Sequence, residues 1–225
     1  VAAKSPQTVT IYGRLSFPVF SYAEAVARNA KSDYPAADTA TVTPEFNLLV
    51  EQAQLDKLVK HVQDEFLPWC DAQAAAGEKR PGLDKGQVDK LRKVLAAADW
   101  ETQPPYLPIK PVPDKTAPLA PECVAMIKVK GNRGVDIEQK AIVHNEDELI
   151  VPDPDQLQWP KVYPISATVH QMYPGAYVAC TLNLYAYVSG KLPGFSASAG
   201  VAVFKMDGER FGGGVSVDED EIFLD

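Results

Sequence analysis

Three tyrosines share one face of a single predicted strand, and that face is where this chain's chemistry is most legible. Across residues 177–189, Val178, Cys180, Leu182, Leu184, Ala186 and Val188 form an unbroken apolar face. Tyr177, Ala179, Thr181, Asn183, Tyr185, Tyr187 and Ser189 form the other. Tyrosine favours half-exposed strands, so β propensity alone accounts for part of this pattern. The functional reading is a stacking platform, because an unpaired base accepts an aromatic face whatever its sequence. Two other strands support it. In 123–130, Cys123, Ala125, Ile127 and Val129 face inward, while Met126, Lys128 and Lys130 face outward. In 8–20, Val9, Ile11, Leu15 and Phe17 share the inner face, and Thr8, Thr10, Tyr12 and Arg14 the outer. Arg133 follows in a turn and Lys140 on the next strand. Cations that neutralise phosphates, interleaved with rings that stack bases, are what single-stranded nucleic acid requires. Tyr163 and Tyr173, beside Pro164 and Pro174, either border this surface or fill turns.

The elements that hold these faces follow from periodicity. After the first strand, 21–43 reads as a loop in which Tyr22–Ala30 can make a helical turn, and Phe46, Leu48 and Val50 mark a second strand. Leu55, Leu58, Val59, Val62 and Phe66 then recur at helical spacing up to Pro68, where the helix is expected to stop. His61 lies off that stripe and is expected to be exposed. A basic break at 77–86 precedes a second helix, with Val88, Leu91, Val94, Leu95 and Ala98 on one face. Seven prolines between Pro104 and Pro121 predict an extended surface connector. Strands are expected at 123–130, 137–143, 163–173, 176–189 and 195–206. Two strands, a helical insertion and about five more strands suit a small mixed or antiparallel barrel with helices on one side.

The chain's end differs from its body. Gly212, Gly213 and Gly214 read as a hinge, and Asp218, Glu219, Asp220, Glu221, Ile222, Phe223, Leu224 and Asp225 follow. An acidic block usually marks an interaction tail, and the apolar triplet at its tip points to docking in a partner's pocket. Five of the acidic residues lie there, so the body is nearer neutral than the total charge of −8. The three cysteines are widely spaced and odd in number, which speaks against a disulfide framework or a zinc cluster and for a reducing compartment. No membrane-length apolar run and no secretory signal at Val1 is read. His144-Asn-Glu-Asp-Glu and Asp153-Pro-Asp155 lack the ligand spacing of calcium or zinc motifs, and no nucleophile or nucleotide-binding motif is present. Neither a metal nor a cofactor is expected.

The run 173–187, the run 194–204, Asp207-Gly208-Glu209 with Phe211–Gly214, the opening Gly13–Pro18 and the acidic-aromatic tail together resemble the phage-encoded single-stranded DNA-binding proteins. The resemblance covers most of the chain, strongest at 173–214 and weakest at 51–121. It implies a mainly β, α+β body, 1–211, built on a five-stranded oligonucleotide/oligosaccharide-binding (OB) barrel with the helical and proline-rich insertion at about 51–121. It implies a flexible tail, 212–225. It further implies a non-enzymatic protein of the infected host's cytoplasm that coats single-stranded DNA during replication or recombination. The tail, Asp218–Asp225, would recruit a polymerase, helicase/primase or nuclease and compete with DNA, and homodimerisation fits by analogy. By position, DNA would meet Tyr12, Arg14, Lys128, Lys130, Arg133, Lys140, Tyr173, Tyr177, Asn183, Tyr185 and Tyr187. The tail departs from the family in being short and ending in Leu-Asp rather than an aromatic residue. The alternatives are a phage particle protein with a subunit-joining arm, which leaves the Lys/Tyr faces without purpose, and a magnesium-dependent nuclease, which needs clustered inward acids.

Overall fold

The computed structural model describes residues 5–77, 83–97, 107–142, 162–164, 172–189 and 192–211. The tail, and the His144 and Asp153 segments, lie outside them.

Among the described residues there are nine strands: β1 (Thr8–Val19), β2 (Glu45–Val50), β3 (Ile109–Lys110), β4 (Ala125–Lys130), β5 (Glu138–Ile142), β6 (Val162–Pro164), β7 (Tyr177–Ser189), β8 (Leu192–Ser198) and β9 (Val201–Met206). Five of them pair into a closed ring. β1 pairs with β2, β2 with β4, β4 with β8, β8 with β7, and β7 returns to β1. All these pairings are antiparallel except β4–β8, which is parallel. The result is a mixed sheet with a few helices, an OB-like α+β arrangement. β8 and β9 pair with the same edge of β7, so they behave as one long strand bent at Ala199–Gly200. β5 runs parallel to β9 and carries β6 at its outer edge. Of the strand expected at 163–173, β6 covers 162–164, Met172 and Tyr173 lie outside any strand, and 165–171 lie outside the described residues.

The inner faces bury Val9, Ile11, Leu15, Leu48, Ile127, Val129, Val178, Leu182, Phe195 and Phe204. Helices α1 (Tyr22–Ala30), α2 (Gln52–His61), α3 (Leu67–Ala75) and α4 (Lys85–Ala97) add their own apolar stripes. Ser21 caps α1 by accepting the Glu24 N–H. Leu55, Leu58, Val62 and Phe66 of the α2 segment and Val88, Leu91 and Leu95 of α4 join the same buried cluster as the barrel interior. The Phe66 ring lies 6.1 Å from that of Phe195 in β8, which ties the helices to the barrel.

Several expectations change. The helix does not stop at Pro68, because a π-helical turn at Val62–Phe66 resets the ladder. Proline then falls in the first turn of α3, where its missing N–H costs nothing. His61 is buried rather than exposed, because it follows Leu58 by three residues on the same side of α2; its Nε2 lies 2.9 Å from the Pro6 carbonyl and its Nδ1 3.3 Å from Glu65. The proline-rich connector is not merely extended over the surface. β8 covers only the end of β4, so Ile109 and Lys110 occupy the remaining edge opposite Ile127 and Met126. Phe17 is 58% exposed rather than inward, because β1 bulges between Ser16 and Val19. Val188 is exposed because the β7–β8 hairpin runs past the core.

Phe195→Ala is expected to cost about 3–5 kcal/mol through cavity formation. Urea unfolding checks it, and a loss under about 1 kcal/mol would mean that this ring does not join helices to barrel.

Candidate nucleic-acid interface

The outer face of the ring carries the residues singled out above, and register decides which of them meet. Lys130 lies opposite Ser198, and Ser198 opposite Asn183, which in turn faces Thr8. One row therefore crosses β4, β8, β7 and β1. In the neighbouring row Tyr185 lies opposite Ser196. Phe195 and Ala197 are buried while Ser196 and Ser198 are partly open, so β8 turns its hydroxyls to the face that holds the tyrosines. The Tyr185 and Tyr187 rings sit 6.5 Å apart at 41°, and Tyr185 is 42% exposed. Lys128 projects from the same side of β4 and pairs with Glu45 at 2.9 Å, both half-exposed. Such a surface pair is worth about 0–1 kcal/mol, so an incoming phosphate displaces it at little cost. Beyond Lys130 a groove of about 380 Å³ opens between α1 and β2, with Arg28 on its opposite wall. Arg133 sits in the exposed turn after β4, and Lys140 takes its register position on β5 opposite Val203.

Two expected contacts are used internally instead. Arg14 is 4% exposed, not outward. Its Nε donates to the Gly175 carbonyl (3.2 Å), Nη1 to the Leu119 carbonyl and Glu122 Oε1 (3.0 Å each), and Nη2 to the Glu209 carbonyl (2.8 Å). Its guanidinium lies over the Phe211 ring at 4.4 Å and the Tyr177 ring at 5.3 Å. Alternation correctly put Arg14 off the core face, but chain segments 116–123 and 207–211 close over it. Gly175 sits within this knot at φ +105°, where a Cβ would also overlap the Glu209 carbonyl. Tyr173 is the second strut. Its hydroxyl lies 2.7 Å from Asp207 Oδ1 and accepts the Gly208 N–H, and Arg210 covers its ring at 4.4 Å. Burial and the Asp207 hydrogen bond hold its phenol above the ordinary range.

Tyr12 lies two residues before Arg14 on β1, and Tyr177 lies opposite Arg14 on β7. The Lys205 ammonium lies 4.0 Å from the Tyr12 ring centroid, and Lys57 of α2 lies 5.3 Å from it. Burial, with a smaller push from Lys57, lowers the Lys205 pKa. Lys205 was not legible in the sequence as an outer-face residue. β9 shifts register between its partners Tyr177 and Val178, and Lys205 is the residue left over. Phe17 was missed for the same reason, whereas Ser196 and Ser198 were readable from alternation. The three thiols are buried, and burial pushes Cys70 and Cys123 up to about 12 and Cys180 higher still, so they serve as small apolar groups. Among the described residues no cluster of metal-ligating side chains is found, and no helix is long and apolar enough to cross a membrane.

Arg14→Met is expected to lower the melting temperature, because it strands buried carbonyls at about 1–3 kcal/mol each. Burial raises the Glu122 pKa, but its backbone hydrogen bond, Arg14 and Tyr177 outweigh that and leave it lowered. A lowered carboxylate stabilises above its unfolded pKa and loses that contribution as pH falls through the folded value. Acid titrations of unfolding should show a larger loss in the parent than in Arg14→Met.

No family model matches the chain, and no curated protein matches it. Three solved structures of the single-stranded DNA-binding protein from bacteriophage Enc34 are similar to it. The protein alone is 13% identical at a TM-score of 0.47, covering 97% of this chain and 90% of that one. Its complex with ssDNA is 15% identical at 0.46, covering 92% and 90%. Its C-terminal truncation is 14% identical at 0.47, covering 91% and 88%. At these values the interface stands on the residues described above.

Proposed function

We propose that this chain is a non-enzymatic, sequence-tolerant single-stranded DNA-binding protein of phage type. The observation that carries the reading is the continuous outer row of Lys130, Ser198 and Asn183 beside the Tyr185–Tyr187 ring pair. Bases stack on the two rings while phosphates lie along Lys128, Lys130, Arg133 and the Arg28 side of the groove. Such a surface prefers an unpaired strand, because a duplex hides the base faces that the rings need. The sequence resemblance over 173–214 supports the same reading and extends it to coating of exposed strand in replication or recombination. In this proposal the acidic tail, Asp218–Asp225, recruits replication proteins by its Ile222-Phe223-Leu224 tip.

Phe17 adds a ring at the edge of this surface, next to Ser16, which faces Asn47 of β2. Its φ of +48° is unfavourable for a bulky residue. A strained, exposed aromatic is retained at the expense of stability when the ring has something to bind.

Fluorescence titration with oligo-dT tests the proposal. Tyr185→Ala and Tyr187→Ala should each weaken binding by about 1–3 kcal/mol, roughly 5- to 150-fold. Lys130→Gln should reduce the log–log salt slope by about 0.7. Equal affinity for duplex and single strand would refute the reading. Phe17→Gly should weaken oligo-dT binding without lowering the melting temperature, since it relieves left-handed strain while removing little packing; a fall in stability would make Phe17 a packing residue.

A further inference from the structure

A second site lies where β1 changes partners. Arg14 of β1 faces both Tyr177 of β7 and Leu49 of β2, and the two neighbouring strands diverge from that point. The gap is a cavity of about 280 Å³, roofed by the start of α2. Ligand pockets run from roughly 300 to 1,000 Å³, so this one suits a single flat ring rather than two. Its walls are apolar and aromatic, with Tyr12, Tyr177 and Met206 among them. Its rim is polar and mixed in sign: Glu51 and Gln54 from the start of α2, and Lys205 from β9. The Gln54 Oε1 accepts the Tyr12 backbone N–H at 3.1 Å. That bond fixes which end of the amide is oxygen, so the Nε2 donors are the part left to meet a ligand. Lys205 is the extra residue of the β9 bulge, 8% exposed, and the bulge is what turns its ammonium toward Tyr12 and the cavity.

Flat walls with two donors and one carboxylate acceptor on the rim select among ligands. A bare phosphate gains nothing from the aromatic walls and is opposed by Glu51. An aliphatic group uses none of the rim. A nucleobase uses both, and guanine matches the signs best. It offers O6 and N7 as acceptors to a lysine or amide, and N2–H₂ as a donor to a carboxylate. The geometry points to a guanine pocket: one base of the bound strand leaves the stacked run and inserts between Tyr12 and Tyr177, read by Lys205, Gln54 and Glu51.

This inference rests on the single-stranded DNA reading and adds to it one position of base preference that the open face lacks. The approach is continuous with that face. A shallow trough of about 540 Å³ follows the outer side of β7 from Asn183 to Ala179, floored by small residues such as Thr10, Thr181 and Val203. Tyr12 lies opposite Ala179, so the trough ends at the pocket mouth. Tyr185 and Ala179 are six positions apart on β7, roughly 20 Å along the strand. A strand stacked on Tyr185 and Tyr187 therefore delivers a later nucleotide to the pocket.

The test uses the full chain and oligo-dT hosts carrying one central guest base, with binding followed by fluorescence anisotropy. Deoxyguanosine as guest should bind at least about fivefold tighter than A, C or T. Gln54→Glu keeps the acceptor for the Tyr12 N–H and removes the amide donors; Lys205→Met keeps the stem and removes the ammonium. Both should bring the four guests to within about twofold of one another while retaining the affinity for pure oligo-dT to within threefold. Deoxyinosine, which lacks the N2 amino group, should lose most of the advantage in the parent and show no further loss in Glu51→Gln. Tyr185→Ala should weaken every host alike and keep the ratio. A parent that does not favour the guanine guest, or a preference unchanged in Gln54→Glu and Lys205→Met, overturns the pocket while leaving the open-face reading intact. If the parent binds no oligonucleotide, the single-stranded DNA reading fails, and titration with dGMP against dTMP followed by amide chemical shifts decides the pocket. Shifts at Tyr12 and Lys205 with dGMP alone would support it for a free nucleotide, and their absence would overturn it.

Discussion

Arg14 sits at the position of β1 that pairs with both β7 and β2, and its guanidinium satisfies the carbonyls of three otherwise unconnected segments. Those carbonyls belong to Leu119 after the proline-rich stretch, Gly175 in the turn before β7, and Glu209 after β9. Every strand of the ring has two neighbours, but β1 meets β7 along its first part and β2 along its second, and only Arg14 is paired with both. At that residue the neighbours separate, and a planar, five-donor cation fits the unsatisfied groups left there. Because Arg14 draws the 207–211 segment across the outside of the barrel, Phe211 ends the described chain packed over the same guanidinium.

That arrangement divides the outer surface. On the β4–β8–β7 side the face is open, with hydroxyls, lysines, the exposed Tyr185 ring and the partly exposed Tyr187 ring beside it. On the β1–β7–β9 side the Arg14 knot, α2 and the β9 bulge enclose a smaller, more selective space. Both sides share β7, whose thirteen residues pair with β1 and β9 at one end and β8 at the other. A long strand with a single polar face is a natural track for a linear ligand.

The bulges do most of the local specialisation. In β1 the extra residue places Phe17 outside, and in β9 it places Lys205 against Tyr12. In each case the displaced side chain ends beside a surface that has a use for it, at a cost in backbone regularity. The π-helical turn at Val62–Phe66 is the helical counterpart. It lets the apolar stripe of α2 continue past Pro68, where Leu67 and Cys70 are buried.

Alternation by itself placed strands at 8–20, around Phe46–Val50, and at 123–130 and 176–189, most of the inward face of each, and the outward positions of Lys128, Lys130, Asn183 and Tyr185; Phe17 and Val188 were the inward positions it misplaced. Those properties are local, since a two-residue or 3.6-residue period is written in neighbouring side chains. Tertiary structure alone decided which outward residues stay outward. Arg14 and Tyr173 have the composition of ligand contacts, yet segments more than a hundred residues away in the chain or on the far side of a turn close over them. It also decided where the period breaks, because a bulge is set by the partner strand's register and leaves no mark on the bulged strand's own pattern. The five-stranded ring, the edge of β4 filled by Ile109 and Lys110, and the pocket at the fork of β1 belong to the same class. Each depends on which strands meet, and that is settled by long-range packing rather than by any one stretch of residues.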